Sequence, residues 1–175
     1  MSEQGRRILI APIEGAAGER IQAWRLVHDP AQARRYPPHV TLCYDPPHDD
    51  SREARDALAR QVVHAFPAAV PVHLGGVHRF SGGTETLYVE VLAHEALDAA
   101  RERLFDGAHA RFPVLRPWPW HVSCLRNAAT ASPDVVAAAR AALALDEPYA
   151  IAAVEYRELQ GEVYEVLERW ELARD

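Results

Sequence analysis

Trp120-His121-Val122-Ser123-Cys124-Leu125-Arg126 repeats, in chemistry and in order, what Pro38-His39-Val40-Thr41-Leu42-Cys43 says one half-chain earlier: histidine, apolar residue, hydroxyl, apolar residue. Both stretches read as strands, and in a strand successive side chains leave on opposite faces. His39 and Thr41 therefore share one face and His121 and Ser123 another, while Val40, Leu42, Val122 and Cys124 point the other way into a core. An imidazole moves a proton near neutral pH, and a hydroxyl two positions away donates a hydrogen bond to an oxyanion held between them. Two such pairs amount to an acid, a base and two anion ligands. Each copy is reached through a stiff approach, Pro37-Pro38 in the first and Phe112, Pro113, Pro117, Trp118 and Pro119 in the second.

The rest of the chain bounds what these pairs serve. At 175 residues and 49% hydrophobic content it folds as one compact unit or two small lobes sharing a core. Its apolar runs are too short to span a bilayer and the polar stretch Met1 to Arg7 leads into no signal-like segment, so no membrane partner is expected. Two Cys without a Cys-x-x-Cys spacing point to a reducing compartment, and a cytoplasmic location is the expectation. All 19 basic residues are Arg, which removes mechanisms through a lysine Schiff base or a Walker-type phosphate lysine. A net charge of −6 argues against a broad nucleic-acid surface and leaves room for a small phosphate ligand, or an RNA end gripped locally by a few Arg.

In chain order, the run RRILIAPI from Arg6 to Ile13 predicts a buried strand, and Ile21, Trp24 and Val27 predict a helix over 19–28 stopped by Asp29-Pro30. A polar, Arg-containing link then leads to the first motif strand, 39–44. The loop Asp45 to Asp50, with Pro46, Pro47 and His48, reads as solvated rather than metal-binding. A helix over 51–66 follows, with Ala54, Leu58, Val62 and Ala65 on one face. Val70 to Phe80 and Thr86 to Leu92 read as two strands about a Gly82-Gly83 turn, with a bulge at Gly75-Gly76 and with His73 and His78 as ordinary strand residues. Helical spacing resumes over 94–108. After the second motif strand, Ser132-Pro133-Asp134 starts a helix to 144. Tyr149 to Leu159 and Glu162 to Leu172 form a hairpin about Gln160-Gly161. The second half echoes the first without its leading strand, so the expectation is a single duplicated α+β domain over 1–175. Its approximate lobes are 1–92 and 93–175, with strand exchange between them allowed, and each contributes one motif strand to a shared cleft.

These residues resemble the 2H phosphoesterase superfamily, whose bacterial members are RNA 2′,3′-cyclic phosphodiesterases or 2′-5′ RNA ligases. Its duplicated His-x-Ser/Thr-x signature matches His39-Val40-Thr41-Leu42 and His121-Val122-Ser123-Cys124, the second copy carrying Ser for the commoner Thr and Cys for the usual aliphatic. The opening RRILIAPI strand, Leu74-Gly75-Gly76-Val77 to Phe80, and Gly161-x-x-Tyr164 extend the likeness over nearly the whole chain. The resemblance implies a duplicated, two-lobed (LigT-like) α+β fold, with antiparallel sheets and outer helices around a central cleft. It also implies hydrolysis of a 2′,3′-cyclic phosphate at an RNA or nucleotide end to a 2′-phosphate, with 2′-5′ RNA ligation as a side activity. His39 is then the proton donor, His121 the proton acceptor, Thr41 and Ser123 ligands to the phosphate, and Arg126 a further phosphate-binding residue. Phe80 is a candidate base-stacking ring.

Three competing readings attach to the same residues. Cys43 shares the His39 face if its strand is regular, which admits a thiol nucleophile; no helix N-terminus or adjacent base is evident to lower its pKa, and a small buried Cys is the commoner case. Two His with hydroxyl rather than carboxylate neighbours make a poor ligand set for zinc or a di-metal pair, so no metal and no cofactor are expected. A non-catalytic nucleotide or RNA-end binding protein on the same fold is the alternative from another class, though binding alone does not need a proton donor facing a proton acceptor. The expected partner is an RNA end or a cyclic nucleotide, met by a monomer.

Overall fold

The computed structural model describes residues 5–44, 46, 51–80, 85–104, 119–126, 128 and 131–173. Among the described residues, eight strands and five helices run in the order β1 (Arg7–Pro12), α1 (Gly15–His28), α2 (Pro30–Arg35), β2 (His39–Tyr44), α3 (Arg52–Ala65), β3 (Val70–Arg79), β4 (Leu87–Leu92), α4 (Glu95–Leu104), β5 (His121–Leu125), α5 (Pro133–Ala142), β6 (Glu147–Ile151), β7 (Ala153–Gln160) and β8 (Val163–Glu171). The expected loop over 45–50 apart from Pro46, the Gly82-Gly83 turn, most of the second Pro-rich approach and the helical pattern beyond Leu104 lie outside the described residues.

All eight strands join one sheet in the order β6-β3-β4-β5-β2-β1-β7-β8. The two motif strands, β5 and β2, are its central pair, bridged antiparallel at Val40 and Val122. Outward from that seam the two halves correspond, β4-β3-β6 on one side and β1-β7-β8 on the other, so the duplication read in the sequence is a duplication of half-sheets. The chain crosses between them. The strand that follows α3 pairs with β4, in the half opposite β2, and β7 pairs with β1, in the half opposite β5.

The alternation read from the motifs sorts the sheet into two faces. On one, Val40, Leu42, Val122 and Cys124 are at most 2% exposed and pack with Ile21 of α1, Leu58 and Val62 of α3, Leu97 of α4 and Ala139 of α5 in a single core. Fully burying one such Leu, Ile or Val stabilises by roughly 1.5–3 kcal/mol. The helices start where their caps predict: the Ser51 hydroxyl accepts from the Ala54 N–H (3.1 Å) and the Ser132 hydroxyl from the Val135 N–H (3.4 Å). The other face carries His39, Thr41, His121 and Ser123, flanked by a small apolar cluster of Ile8, Ile10, Tyr36, Leu159 and Tyr164. Among the described residues no helix is long and apolar enough to cross a membrane.

Three details differ from the sequence reading. The link after α1 is itself a short helix, α2, with Pro30 at its first turn, so Asp29-Pro30 ends one helix and begins another. The helix read over 19–28 begins earlier, at Gly15. The strand expected over 149–159 is two strands separated at Ala152, β6 on the far edge of one half and β7 inside the other. An unbroken run of Tyr, Ala, Ile and Val gives that crossing no turn residue to announce it. The bulge expected at Gly75-Gly76 is present, as a register shift between Leu74 and Val77 against β4.

Candidate active site

Each motif histidine is oriented by the same device. His39 Nδ1 lies 2.7 Å from the Pro37 carbonyl and His121 Nδ1 lies 2.9 Å from the Pro119 carbonyl, two residues upstream in both copies. A carbonyl oxygen only accepts, so Nδ1 carries the hydrogen in both rings and Nε2 is the nitrogen left to exchange a proton with a ligand. The stiff approaches inferred from proline thus have a second purpose: proline holds in place the carbonyl that fixes the tautomer. The second approach is also anchored from the side, since the buried Trp120 donates from its indole to Asp98 (2.9 Å) under the Arg101 guanidinium (4.5 Å to the ring centre).

The seam between the motif strands brings the two pairs together. Continuing the antiparallel register one residue either side of Val40 and Val122 sets His39 opposite Ser123 and Thr41 opposite His121. In that register each histidine lies across the seam from the hydroxyl residue of the other copy, and directly opposed strand residues hold their Cβ atoms ~5 Å apart. All four side chains are half-buried on the face away from the helices.

Both motif strands then break step at the same place. Against β1, β2 pairs Thr41 with Ile10 and Cys43 with Leu9, leaving Leu42 as an extra residue; against β4, β5 pairs Ser123 with Tyr88 and Leu125 with Leu87, leaving Cys124 as the extra one. The fourth motif position is thus a bulge in each copy, and a bulge sharpens the local twist and re-aims the side chains beside it. It also corrects the placement of Cys43. The strand is not regular there, so Leu42 and Cys43 are both buried in the core, where the Cys43 thiol donates to the Tyr44 carbonyl (3.2 Å) and does not share the His39 face. Burial pushes the Cys124 thiol up to about 12, which leaves it protonated.

The surroundings of the two rings differ. Burial pushes His39 down to about 3; the Pro37 hydrogen bond opposes the shift, and the charges of Arg25, Arg126 and Arg157 add to it. Burial also lowers His121, again against its carbonyl bond, with Arg126 alone adding repulsion. Without a bound anion both rings are therefore favoured neutral. Tyr36 meets His39 edge-on (4.8 Å between ring centres), whereas Phe80 and Tyr88 meet His121 edge-on (4.9 and 5.5 Å).

Of the residues singled out in the sequence, His39, Thr41, His121 and Ser123 are gathered on the seam, Arg126 is exposed at its end, and Phe80 leans on His121. Arg126 is held by two contacts: its N–H donates to Asp29 Oδ2 (2.9 Å) and its guanidinium lies 5.7 Å from the Tyr36 ring centre. The sequence reading missed Tyr36, Tyr88 and Arg25. The fully buried Arg25 donates to the Tyr36 and Gln32 carbonyls (3.1 and 2.8 Å) and lies 5.7 Å from the Tyr36 ring centre. Their only signals are position, Tyr36 directly ahead of Pro37-Pro38 and Tyr88 alternating with Glu90 on a strand.

Fold and site together define a duplicated α+β protein in which two imidazole-hydroxyl pairs from equivalent strands converge on one face of a shared sheet. Residues 13–172 match the family model of the 2′-5′ RNA ligase superfamily, and the chain belongs to that superfamily, a 2H phosphoesterase group. Solved structures with the same fold include Escherichia coli LigT complexed with 3′-AMP (19% identity, 97% of this chain and 98% of that one, TM-score 0.57) and TT0787 of Thermus thermophilus (20%, 97% and 99%, 0.59). Usb1 of Kluyveromyces marxianus is a third (14%, 94% and 98%, 0.51). No curated protein matches the sequence significantly. Membership of the superfamily supports phosphoesterase- or ligase-type activity on RNA.

Proposed function

We propose that this chain hydrolyses a 2′,3′-cyclic phosphate at an RNA or nucleotide end to a 2′-phosphate, without a metal ion. The observation that carries the reading is the cross-facing of the two pairs. Each imidazole has its Nδ1 spent on a proline carbonyl, which leaves Nε2 for a ligand, and the Val40–Val122 register sets each histidine across the seam from the hydroxyl residue of the opposite strand. That arrangement suits a small anion held between a proton acceptor and a proton donor.

In the hydrolytic direction His121 Nε2 takes a proton from water as its oxygen attacks phosphorus in line with the 3′ oxygen. The bond from phosphorus to the 3′ oxygen breaks, and His39 Nε2 delivers its proton to that leaving oxygen. Thr41, Ser123 and Arg126 donate to the non-bridging oxygens as negative charge builds on them. Burial, with the Arg charges adding to it, holds His39 neutral in the empty site, so its proton arrives with the substrate: an anion between the rings is an opposite charge beside the buried imidazole and favours the imidazolium. Phe80 stacks on the base of the terminal nucleotide. With a 5′-hydroxyl in place of water the same groups act in the same direction: His121 takes the hydroxyl proton as its oxygen attacks phosphorus, the bond to the 3′ oxygen breaks and His39 protonates that oxygen, giving a 2′-5′ linkage as a side activity. The 3′-AMP bound in the Escherichia coli LigT structure is a nucleotide of the size this site would take.

Product analysis of 2′,3′-cyclic CMP and a cyclic-ended oligonucleotide by phosphorus NMR tests the proposal. A 2′-phosphate is expected in the presence of chelator. A 3′-phosphate overturns the assignment of the leaving oxygen, and binding without turnover overturns the hydrolase reading in favour of a binding protein.

A further inference from the structure

The duplication extends to the two imidazole-hydroxyl pairs and their bulges but not to what flanks them. The cross-strand neighbour of His39 is Pro12 and that of Thr41 is Ile10, whereas the corresponding neighbours of His121 and Ser123 are Glu90 and Tyr88. The chemistry common to both halves needs neither Glu90 nor Tyr88, which frees this flank for selection. On it, Phe80 stacks on Tyr88 with ring centres 4.1 Å apart and planes 24° apart, and its edge reaches His121. Two residues along each strand, His78 Nε2 lies 3.2 Å from Glu90 Oε2, with the Glu90 side chain 31% exposed. The bulge at Gly75-Gly76 lies against Glu90: a Cβ on Gly75 would stand in ordinary contact with Glu90 Oε2 (3.5 Å) and would crowd a Leu92 methyl (3.1 Å). A partly exposed carboxylate is thus braced at one oxygen, one step along the strand face from an aromatic shelf.

A carboxylate in an anion-binding site works against phosphate, so its place here calls for a ligand group that donates. The amino group of a nucleobase is such a donor: a carboxylate accepts from the 4-amino group of cytosine, whereas the carbonyl at the same position of uracil offers only lone pairs. Resting on the reading of the site as one for nucleotide cyclic phosphates, we propose that Glu90, braced by His78, selects a base with an amino group at the pyrimidine 4 or purine 6 position, stacked on Phe80. Phe80 supplies affinity that is indifferent to the base, and Glu90 supplies the discrimination.

Two substrate pairs of equal shape test this: 2′,3′-cyclic CMP against UMP, and 2′,3′-cyclic AMP against IMP, with kcat/KM measured for the wild type, Glu90→Gln and Phe80→Ala. The wild type is expected to favour the amino-bearing member of each pair by about tenfold, the scale of one partly exposed charge-assisted hydrogen bond. Glu90→Gln should bring both ratios close to one, and Phe80→Ala should lower all four rates together without changing the ratios. Equal rates within each pair in the wild type, or ratios that survive Glu90→Gln, overturn the proposal. No turnover of any of the four overturns the hydrolase reading instead. In that case the dissociation constants of 3′-CMP and 3′-UMP for wild type and Glu90→Gln decide the base site alone, with the same ratio expected and equal affinities for the two overturning it.

Discussion

Tyr36 touches both halves of the proposed chemistry, meeting the His39 ring in a T-shaped contact and the Arg126 guanidinium over its ring, and the buried Arg25 donates to its carbonyl. Its hydroxyl contributes elsewhere, donating to Gln32 Oε1 (2.7 Å). Tyr36→Phe should therefore keep most of the activity. Tyr36→Leu should lower kcat by about tenfold or more, with a smaller change in KM, since it releases the geometry of two groups rather than a binding contact. A steady-state comparison of the two variants checks this; equal losses would mean that the ring contributes nothing specific. Among the groups proposed to meet the phosphate, Arg126→Ala should cost more than Thr41→Ala or Ser123→Ala, because it removes a charged donor and they remove neutral ones. The ranking of the three kcat/KM values is the measurement.

At the scale of elements, the motif strands are legible in the sequence because the faces of a strand alternate, and alternation alone places His39, Thr41, His121 and Ser123 opposite the core. The bulges that follow are not legible, since the extra residue is apolar in each copy, Leu42 or Cys124, and its apolar successor, Cys43 or Leu125, is buried as well. Gly75-Gly76 could be read because glycine inside a strand is itself the signal. The crossing at Ala152 and the second helix after Asp29 were hidden for opposite reasons, one with no turn residue and the other with a proline that serves equally as a stop and a start. The flank residues Tyr36, Arg25 and Tyr88 owe their places to contacts between elements, which no local pattern encodes. Where local signals do exist they predict energetics: Ser51→Ala removes the cap of α3 and should lower stability by about 1 kcal/mol without touching activity. Denaturant unfolding would show this as a lower midpoint at unchanged slope.

For the molecule as a whole, burying a neutral imidazole, with three Arg charges adding to the effect, couples folding, binding and pH. The folded-state pKa of His39 is pushed down to about 3, while an unfolded histidine titrates near 6.5. Below about pH 6.5 the unfolded chain therefore binds the extra proton first. Stability present above that pH is lost as pH falls towards the folded value, by on the order of 1 kcal/mol at pH 5.5 from this group. The fall in melting temperature between pH 7.5 and 5.5 should be smaller in His39→Gln than in the wild type, and an identical fall would place the titrating group elsewhere. The same coupling predicts that the optimum of kcat/KM, which reports the free protein, lies at lower pH than the optimum of kcat, which reports the complex with an anion already bound. Coincident optima would contradict proton uptake on binding.

The two-histidine step itself is tested most directly by the rate of 2′,3′-cyclic phosphate hydrolysis in the wild type, His39→Ala, His121→Ala and the double variant, all with EDTA present. The account predicts an undiminished wild-type rate and a loss on the order of 10²–10⁴ in each single variant. The double variant should lose less than the product of the two, because the rings act as a unit. Near-full activity in either single variant, or a wild-type rate abolished by EDTA, would contradict it.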